Sequence, residues 1–160
     1  MTMLRAAVAT LALALAGCGF QLRGTAELSP RMATPYVDVP DRYTPFNAAL
    51  ESALRASGAT PSRSREAASA VVRIHRDEVG RHVLSVTAQN TPAEYEVYYT
   101  VEYSVSANGE ELLPPQSLTL TREYSYDETE VLAKQHEERL IREALARDLA
   151  GLVLRRLAVL

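Results

Sequence analysis

Charged residues concentrate between Glu123 and Glu138, and this stretch is the first place where the sequence could do chemistry. It reads EYSYDETEVLAKQHEE and holds six carboxylates around one lysine, Lys134. Asp127 suits the N-cap of a helix, and Glu130, three residues later, completes the pattern of a capping box. The helix dipole also favours negative charge at that point. These carboxylates therefore have a structural explanation, whereas Lys134 gains nothing from the dipole.

Two roles for Lys134 remain open. One is a surface ion pair with Glu130 or Glu138, each four residues away, which would stabilise the fold by only about 0.3–0.5 kcal/mol. The other is a contact with an anionic ligand that is shared with Arg122 on the preceding strand, because two cations hold an anion that one cannot. Arg122 also has a structural alternative, in which its aliphatic part covers apolar surface at the rim of a sheet.

The sequence offers little to a catalytic mechanism. Its three histidines, His75, His82 and His136, lack the spacing of a zinc motif, and Cys18 is the only cysteine. Neither the G-x-S-x-G motif of hydrolases nor a glycine-rich phosphate loop is present. We therefore predict a protein that is not an enzyme and holds no metal or other cofactor. The net charge of −3 and the lack of a basic run argue against a nucleic-acid partner.

The N-terminus predicts a lipid-anchored protein. Arg5 precedes an uncharged run, residues 6–17, which is too short to span a bilayer and is typical of a signal peptide. The run ends in Leu-Ala-Gly-Cys, which resembles the lipobox of bacterial lipoproteins, so we expect a diacylglycerol on the thiol of Cys18 and an acyl chain on its amine. Gly19, in place of an aspartate, favours the outer membrane. The alternative is an ordinary signal peptide with an incidental cysteine.

These features divide the chain into three parts: a signal peptide at residues 1–17, a lipidated tether at 18–34 and a single domain at 35–160. Loss of the signal peptide, with Arg5, would change the net charge from −3 to −4. A mature chain of this size forms one domain with a modest core.

The first half of the domain predicts a strand, a helix and a second strand. Residues 35–39 form a short strand candidate, and a helix begins with Thr44 as N-cap and Pro45 at its first position. Gly58 ends that helix. Apolar alternation over residues 70–75 predicts the second strand, which resumes at 82–86 after an irregular patch around Gly80.

The second half predicts a hairpin and a long helix. Residues 94–107 alternate strictly, with one apolar face, and the pair Asn108-Gly109 suits a tight turn. Pro114-Pro115 keeps the start of the returning strand irregular or at an edge, and alternation resumes over 118–126. A helix then follows Asp127. Its apolar stripe comprises Ile141, Leu145, Leu149 and Leu152, widened by Ala144, Val153 and Leu157, and its wet side carries the pairs Glu138–Arg142 and Glu143–Arg147.

The element order is therefore β-α-β-β-β-α. A strand–helix–strand start favours a parallel crossover, and the hairpin makes the later strands antiparallel. We predict an α+β fold in which two helices pack on one face of a small, mixed, mostly antiparallel four-stranded sheet.

Three short motifs resemble the LptE family of lipopolysaccharide-assembly lipoproteins. They are C-G-F-Q-L-R-G at 18–24, A-E-Y at 93–95 and V-L-A-K at 131–134, and the likeness in element order covers essentially the whole chain. The resemblance implies an LptE-like domain at 35–160 that plugs the barrel of its partner LptD in the outer membrane, on the periplasmic side, and binds lipopolysaccharide.

The resemblance also implies where the glycolipid binds. Lys134 falls on the lysine of the V-L-A-K motif, and Arg122 would be a second cation facing the phosphates of lipopolysaccharide. Ala88-Gln89-Asn90 stand where relatives can carry an arginine, so this chain departs from the family there. The alternative function is a periplasm-facing lipid carrier or a transport-accessory lipoprotein, and a carrier would enclose an apolar cavity.

The substitution Cys18→Ala should abolish acylation, because the sequence has no other thiol. We expect the variant to appear as a soluble or mislocalised precursor. Metabolic labelling with a fatty-acid analogue measures the modification directly. Label retained on the variant would show that the lipobox interpretation is wrong.

Overall fold

The computed structural model describes residues 28–160, and the order of its elements confirms the predicted β-α-β-β-β-α arrangement. The predicted signal peptide, Cys18 and most of the predicted tether lie outside these residues. The strands are β1 (Pro35–Asp38), β2 (Ala70–Val86), β3 (Pro92–Ala107) and β4 (Glu110–Ser125), and the helices are α1 (Pro45–Ala56) and α2 (Val131–Leu157). Short 3-10 helices cover Pro30–Met32 and Glu128–Glu130.

The four strands form one mixed sheet in the order β1-β2-β3-β4. β1 runs parallel to β2, and the other two pairs are antiparallel. The predicted α+β class and the mixed sheet with two helices are confirmed. The inner face of the sheet packs against both helices, and the buried core combines side chains from β3 (Val97, Tyr99, Val101, Tyr103, Val105), α1 (Phe46, Leu50, Leu54) and α2 (Ile141, Leu145, Leu149, Val153, Leu157).

β2 is one continuous strand, so the predicted interruption around Gly80 is wrong. Ile74 pairs with Tyr103 and Arg76 pairs with Glu102, which leaves His75 as an extra residue in a β-bulge. A single inserted residue exchanges the two faces of a strand, because side chains alternate with a period of two. The alternation in the sequence is therefore broken although the strand is not.

The bulge decides which side chains of β2 point inward. Before it, Val72 and Ile74 are buried. After it, Asp77, Val79 and Arg81 lie opposite Val101, Tyr99 and Val97, whose side chains all belong to the core. Two charged residues are thereby directed toward the helices.

Gly80 lies on the outer face of this strand, opposite Tyr98. A Cβ atom at this position would approach the Tyr98 hydroxyl to 2.4 Å. Any other residue here would displace the ring of Tyr98, which lies over the backbone of β2.

β4 is an edge strand, as predicted from Pro114-Pro115. Tyr103 pairs with Gln116 and Val105 pairs with Leu113, so β3 places one residue opposite the two prolines of β4. The prolines thus occupy a bulge at the edge of the sheet, where a missing N–H donor does no harm.

The start of α1 is tied to the sheet through Asp77. Thr44 is the N-cap, as predicted, and its hydroxyl accepts a hydrogen bond from the Asn47 N–H at 3.1 Å. The same hydroxyl donates to Asp77 at 2.5 Å, and the Tyr99 hydroxyl donates to the other carboxylate oxygen at 2.7 Å. The Phe46 N–H donates to the Tyr99 oxygen at 3.3 Å. Burial, followed by the hydrogen bond to Asp77, raises the pKa of Tyr99 far above its usual value.

The start of α2 differs from the prediction. Asp127 accepts from the Thr129 N–H at 2.8 Å and caps the 3-10 helix, while α2 itself begins only at Val131. Glu130 occupies the N-cap position of α2 without a side-chain hydrogen bond, so the predicted capping box does not form. Because the 3-10 turn separates the cap from the helix, Lys134 lies in the first turn of α2 and not two turns inside it.

Packing extends toward the N-terminus beyond β1. Met32 belongs to the stretch predicted as tether, yet it is fully buried in the core. The Ser69 N–H donates to the Thr34 carbonyl at 2.9 Å, and the Thr34 N–H donates to the Ser69 hydroxyl at 3.0 Å. The residues just before β1 are therefore held against the loop that enters β2.

Replacing Tyr99 with phenylalanine should lower the free energy of unfolding by about 2 kcal/mol, because the Phe46 N–H and Asp77 lose a buried partner. Tyr36→Phe is a matched control. Its hydroxyl accepts only an exposed hydrogen bond from Arg42 at 3.3 Å, so its removal should cost less than about 0.5 kcal/mol. Urea unfolding of both variants measures the difference. Equal losses would show that the Asp77 network contributes nothing particular to stability.

Candidate functional site

A buried carboxylate, Glu138, organises the most polar part of the interface between α2 and the sheet. The residue is only 8% exposed. Its Oε2 accepts a hydrogen bond from the Tyr124 hydroxyl at 2.8 Å and an ion-pairing hydrogen bond from Arg81 Nη1. Its Oε1 accepts from Arg142 Nε at 3.0 Å and from Arg142 Nη2. One carboxylate thus joins β2, β4 and α2.

The sheet holds Arg81 in place through aromatic side chains. Its guanidinium carbon lies 4.4 Å from the centre of the Tyr95 ring, and its Nη1 donates to the Tyr124 hydroxyl at 3.0 Å. The rings of Tyr95 and Tyr124 are stacked, with centroids 5.8 Å apart. The ring face attracts the cation, and the bulge in β2 directs the arginine toward it.

The surroundings keep Glu138 ionised and Tyr124 protonated. Burial alone would raise the pKa of Glu138, but hydrogen bonds from Tyr124 and Arg142 and the charges of Arg142 and Arg81 bring the pKa below its ordinary value. Burial, followed by the hydrogen bond to Glu138, raises the pKa of Tyr124 to about 12. The cluster therefore contains a fixed negative charge that two arginines share.

An open cleft lies beside this cluster. It has a volume of about 430 Å³, and we call it the arginine cleft; its lining residues are Arg81, Gln135, Glu138, Arg139 and Arg142. The four helical residues are spaced i, i+3, i+4 and i+7, which places them on one side of α2. Three guanidinium groups and one carboxylate give the lining a formal charge of +2. The cleft can hold an anion.

The cations predicted from the sequence lie elsewhere and apart from each other. Lys134 pairs with Glu137 at 3.0 Å, and not with Glu130 or Glu138 as the structural alternative assumed. Arg122 lies on the edge strand β4, half-exposed, with its Nη2 3.6 Å from Asp148. Asp148 follows Lys134 by 14 residues along α2, or roughly 21 Å at about 1.5 Å per residue. The structure does not bring the two cations together, and their contact with lipopolysaccharide stays a prediction.

The role of Glu138 was not predicted. The Glu138–Arg142 pair, predicted on the wet side of the helix, does form, but its carboxylate is buried. The available signal was that Glu138 precedes Ile141 by three residues and so continues the apolar stripe toward the sheet. The contact between Arg81 and Glu138 could not be predicted, because the bulge in β2 breaks the alternation that would show which way the Arg81 side chain points.

Within residues 28–160, no group of three or more metal-binding side chains lies together. The histidines have other contacts: His75 with the Ser104 hydroxyl at 2.8 Å, His82 with Glu96 at 2.6 Å and His136 with Arg139 at 2.6 Å. Over the same residues, no helix is long and apolar enough to cross a membrane.

One end of the sheet exposes large apolar side chains. We call it the hairpin end: the last residues of β2, the turn that follows and the start of α2 above them. The exposed residues are Val83, Leu84, Val86, Val131 and Leu132, with Leu140 two turns further along the helix. In the turn between β2 and β3, Asn90 has a positive φ of 63°, a backbone conformation that asparagine tolerates well in turns.

Two known proteins with a similar sequence carry the same name as a family whose model matches this chain. The model of a family described as LptE, lipopolysaccharide-assembly, matches residues 32–157. An LPS-assembly lipoprotein LptE from Pectobacterium atrosepticum is 28% identical over 144 residues, covering 89% of this chain and 77% of that protein. The protein of the same name from Yersinia enterocolitica is 28% identical over 151 residues, covering 92% of this chain and 71% of its own length.

A similar fold occurs in the solution NMR structure of an uncharacterized lipoprotein B from Nitrosomonas europaea. Its TM-score is 0.72 at 24% identity, covering 88% of this chain and 90% of that one. This likeness shows that the two proteins share a fold.

Replacing Glu138 with glutamine should lower the free energy of unfolding by about 2 kcal/mol at neutral pH, since Arg81 and Arg142 lose a charged partner that is itself buried. The folded-state pKa of Glu138 lies below its ordinary value of 4.5. Its contribution is therefore present above pH 4.5 and is lost as the pH falls through the folded-state pKa. Chemical unfolding at several pH values should show the two proteins converging in acid.

Glu143→Gln is the matched control on the same helix. Its carboxylate is exposed and lies 4.0 Å from Arg147, so we expect a change below about 0.5 kcal/mol. A pH-independent difference between wild type and Glu138→Gln would contradict the assigned ion pairs.

Proposed function

This chain belongs to the LptE family of lipopolysaccharide-assembly proteins, and we propose that it is an outer-membrane lipoprotein that plugs and supports an LptD-type β-barrel. On this proposal it also binds lipopolysaccharide during the insertion of that lipid into the outer leaflet. The observation that carries the proposal is the family match over residues 32–157, which includes both helices and the whole sheet. Two relatives that carry the name LPS-assembly lipoprotein LptE support it.

The anchor is proposed to be Cys18, with a diacylglycerol and an N-acyl chain, after removal of residues 1–17. Two or more acyl chains make membrane attachment stable. The tether from Cys18 would lead to Met32, which is packed in the core, so the lipid would be joined to the folded domain by a short segment. On this proposal the domain lies on the periplasmic face of the outer membrane.

The hairpin end supports the proposed association with a barrel. Several exposed apolar side chains from β2 and α2 lie at this one end of the sheet. Exposed apolar surface of this kind commonly marks a contact with a protein or a membrane. By contrast, the face of the sheet that points away from the helices is polar and half-buried, and carries Tyr98, Thr100 and Glu102.

Lys134 and Arg122 remain the proposed contacts for lipopolysaccharide, with one change from the sequence analysis. Because Arg122 of β4 contacts α2 at Asp148, 14 residues along the helix from Lys134, the two cations would bind different phosphates or sugars. Lys134 is largely shielded, with a side-chain exposure of 15%, so it would release Glu137 to reach the glycolipid.

The alternative of a lipid carrier finds less support. Three clefts in the described part of the chain have volumes of about 430, 350 and 390 Å³. Each is open and lined in part by charged side chains, namely Arg81, Arg65 and Glu110 among others. A carrier would need an enclosed apolar cavity for acyl chains. A role in assembly and not in catalysis also agrees with the description of the family.

Co-purification tests the proposal. The tagged protein, extracted from the outer membrane in mild detergent, should bring down a β-barrel of LptD type in stoichiometric amount. In the same preparations, Lys134→Glu and Arg122→Glu should each weaken binding of purified lipopolysaccharide about tenfold, the magnitude of one charge-assisted contact. Thermal unfolding must show that both variants remain folded.

Arg63→Glu is the control for these charge reversals, since Arg63 is an exposed residue of the loop before β2. It should bind lipopolysaccharide as wild type does. Absence of the barrel would refute the proposed partnership. Unchanged lipopolysaccharide binding by both folded variants would leave Lys134 and Arg122 as surface charges only.

A further inference from the structure

The arginine cleft contains one cation more than its structural role requires. Arg81 and Arg142 are sufficient for Glu138, because between them they contact both carboxylate oxygens. Arg139 lies on the same side of α2, three residues before Arg142, and its side chain donates to His136 at 2.6 Å. Its side chain is exposed and makes no contact with the Glu138 carboxylate. Arg139 therefore adds a positive charge to the cleft that Glu138 does not require.

Two of the guanidinium groups in the arginine cleft are held in position before any ligand binds. Glu138 fixes the orientation of Arg142 through two hydrogen bonds, and the ring of Tyr95 supports Arg81 from below. Guanidinium groups that are held in place lose less entropy when they bind an anion than mobile side chains do. Their N–H groups that do not face Glu138 remain available on the side of the cleft.

We propose that Arg81, Arg139 and Arg142 form a binding site for a phosphomonoester, positioned by Glu138. The lining has a formal charge of +2, which matches the dianion. Guanidinium groups bind phosphate oxygens in pairs, and a tetrahedral phosphate can face several guanidinium groups at once where a planar carboxylate cannot. The site shares no residue with the Lys134 and Arg122 contacts. It rests on the proposed function only in the source of the phosphate, which would be one carried by lipopolysaccharide.

Titration calorimetry on the full-length protein, held in phosphatidylcholine nanodiscs free of detergent, tests the site with defined probes. Glucose 1-phosphate represents a free phosphomonoester, and glucuronate is a sugar carboxylate of similar size. Phosphatidylcholine vesicles with and without phosphatidic acid present the same group on a lipid. We expect phosphate binding that Arg139→Gln weakens at least about tenfold, as for one charge-assisted contact. Arg139 takes no part in holding Glu138, so this variant should remain folded.

Arg155→Gln is the matched control. It removes the same charge from the same helix, 16 residues further on, or roughly 24 Å at about 1.5 Å per residue. Loss of glucose 1-phosphate binding in Arg139→Gln alone would support a site for the free ester, and loss confined to phosphatidic acid vesicles would support a lipid-borne phosphate. Equal binding by the two variants, equal binding of glucuronate or no binding of any phosphate probe would overturn the proposal.

A failure of the phosphate site can be distinguished from a failure of the proposed function. Association with the barrel is tested by co-purification with the wild-type protein, a measurement that does not depend on the arginine cleft. A protein that brings down the barrel but shows no phosphate binding would refute this inference alone, and a protein that binds phosphate without a barrel would refute only the partnership.

Discussion

The extra residue that His75 inserts into β2 sets the direction of the side chains in the half of the strand that follows. Without it, Asp77 and Arg81 would face solvent, and their neighbours Glu78 and His82 would face the helices. With it, one carboxylate and one guanidinium point from the same strand toward two different helices. Asp77 meets the N-terminus of α1, and Arg81 meets Glu138 of α2. The polar contacts that join β2 to both helices depend on this exchange of the two faces of the strand.

Asp77 and Glu138, the two carboxylates between the sheet and the helices, have different roles. At Asp77 each oxygen of the carboxylate accepts from a neutral hydroxyl, so the network is satisfied by short-range hydrogen bonds and stabilises one arrangement of α1. At Glu138 a single carboxylate is surrounded by more positive charge than it can neutralise. The Asp77 network has all its hydrogen bonds made and holds one structure. The Glu138 cluster has an excess of positive charge and can still bind an anion. Both lie beneath helices that otherwise contact the sheet mainly through the apolar side chains of the core.

The parts of the fold that could be predicted are those in which local pattern and tertiary environment agree. β3 is half-buried along its whole length, so its alternation is visible in the sequence, and α1 carries its cap, its first proline and its final glycine in the expected places. β2 could not be predicted as one strand, because a bulge exchanges its faces and Gly80 suggests a break. Asp127 is a cap, but it caps the 3-10 turn, which moves the start of α2 to Val131 and places Lys134 in the first turn of that helix. Glu138 was missed because its burial depends on Arg81 and Tyr124, which are 57 and 14 residues away in the chain.

The two prolines in β4 have a consequence for encounters between copies of the protein. β4 forms an outer edge of the sheet, and a free edge strand is a template on which a second chain can add a strand of its own. Pro114 and Pro115 remove two successive donors and bend the edge by a bulge. This stretch of the edge is therefore a poor template for a strand of a second copy.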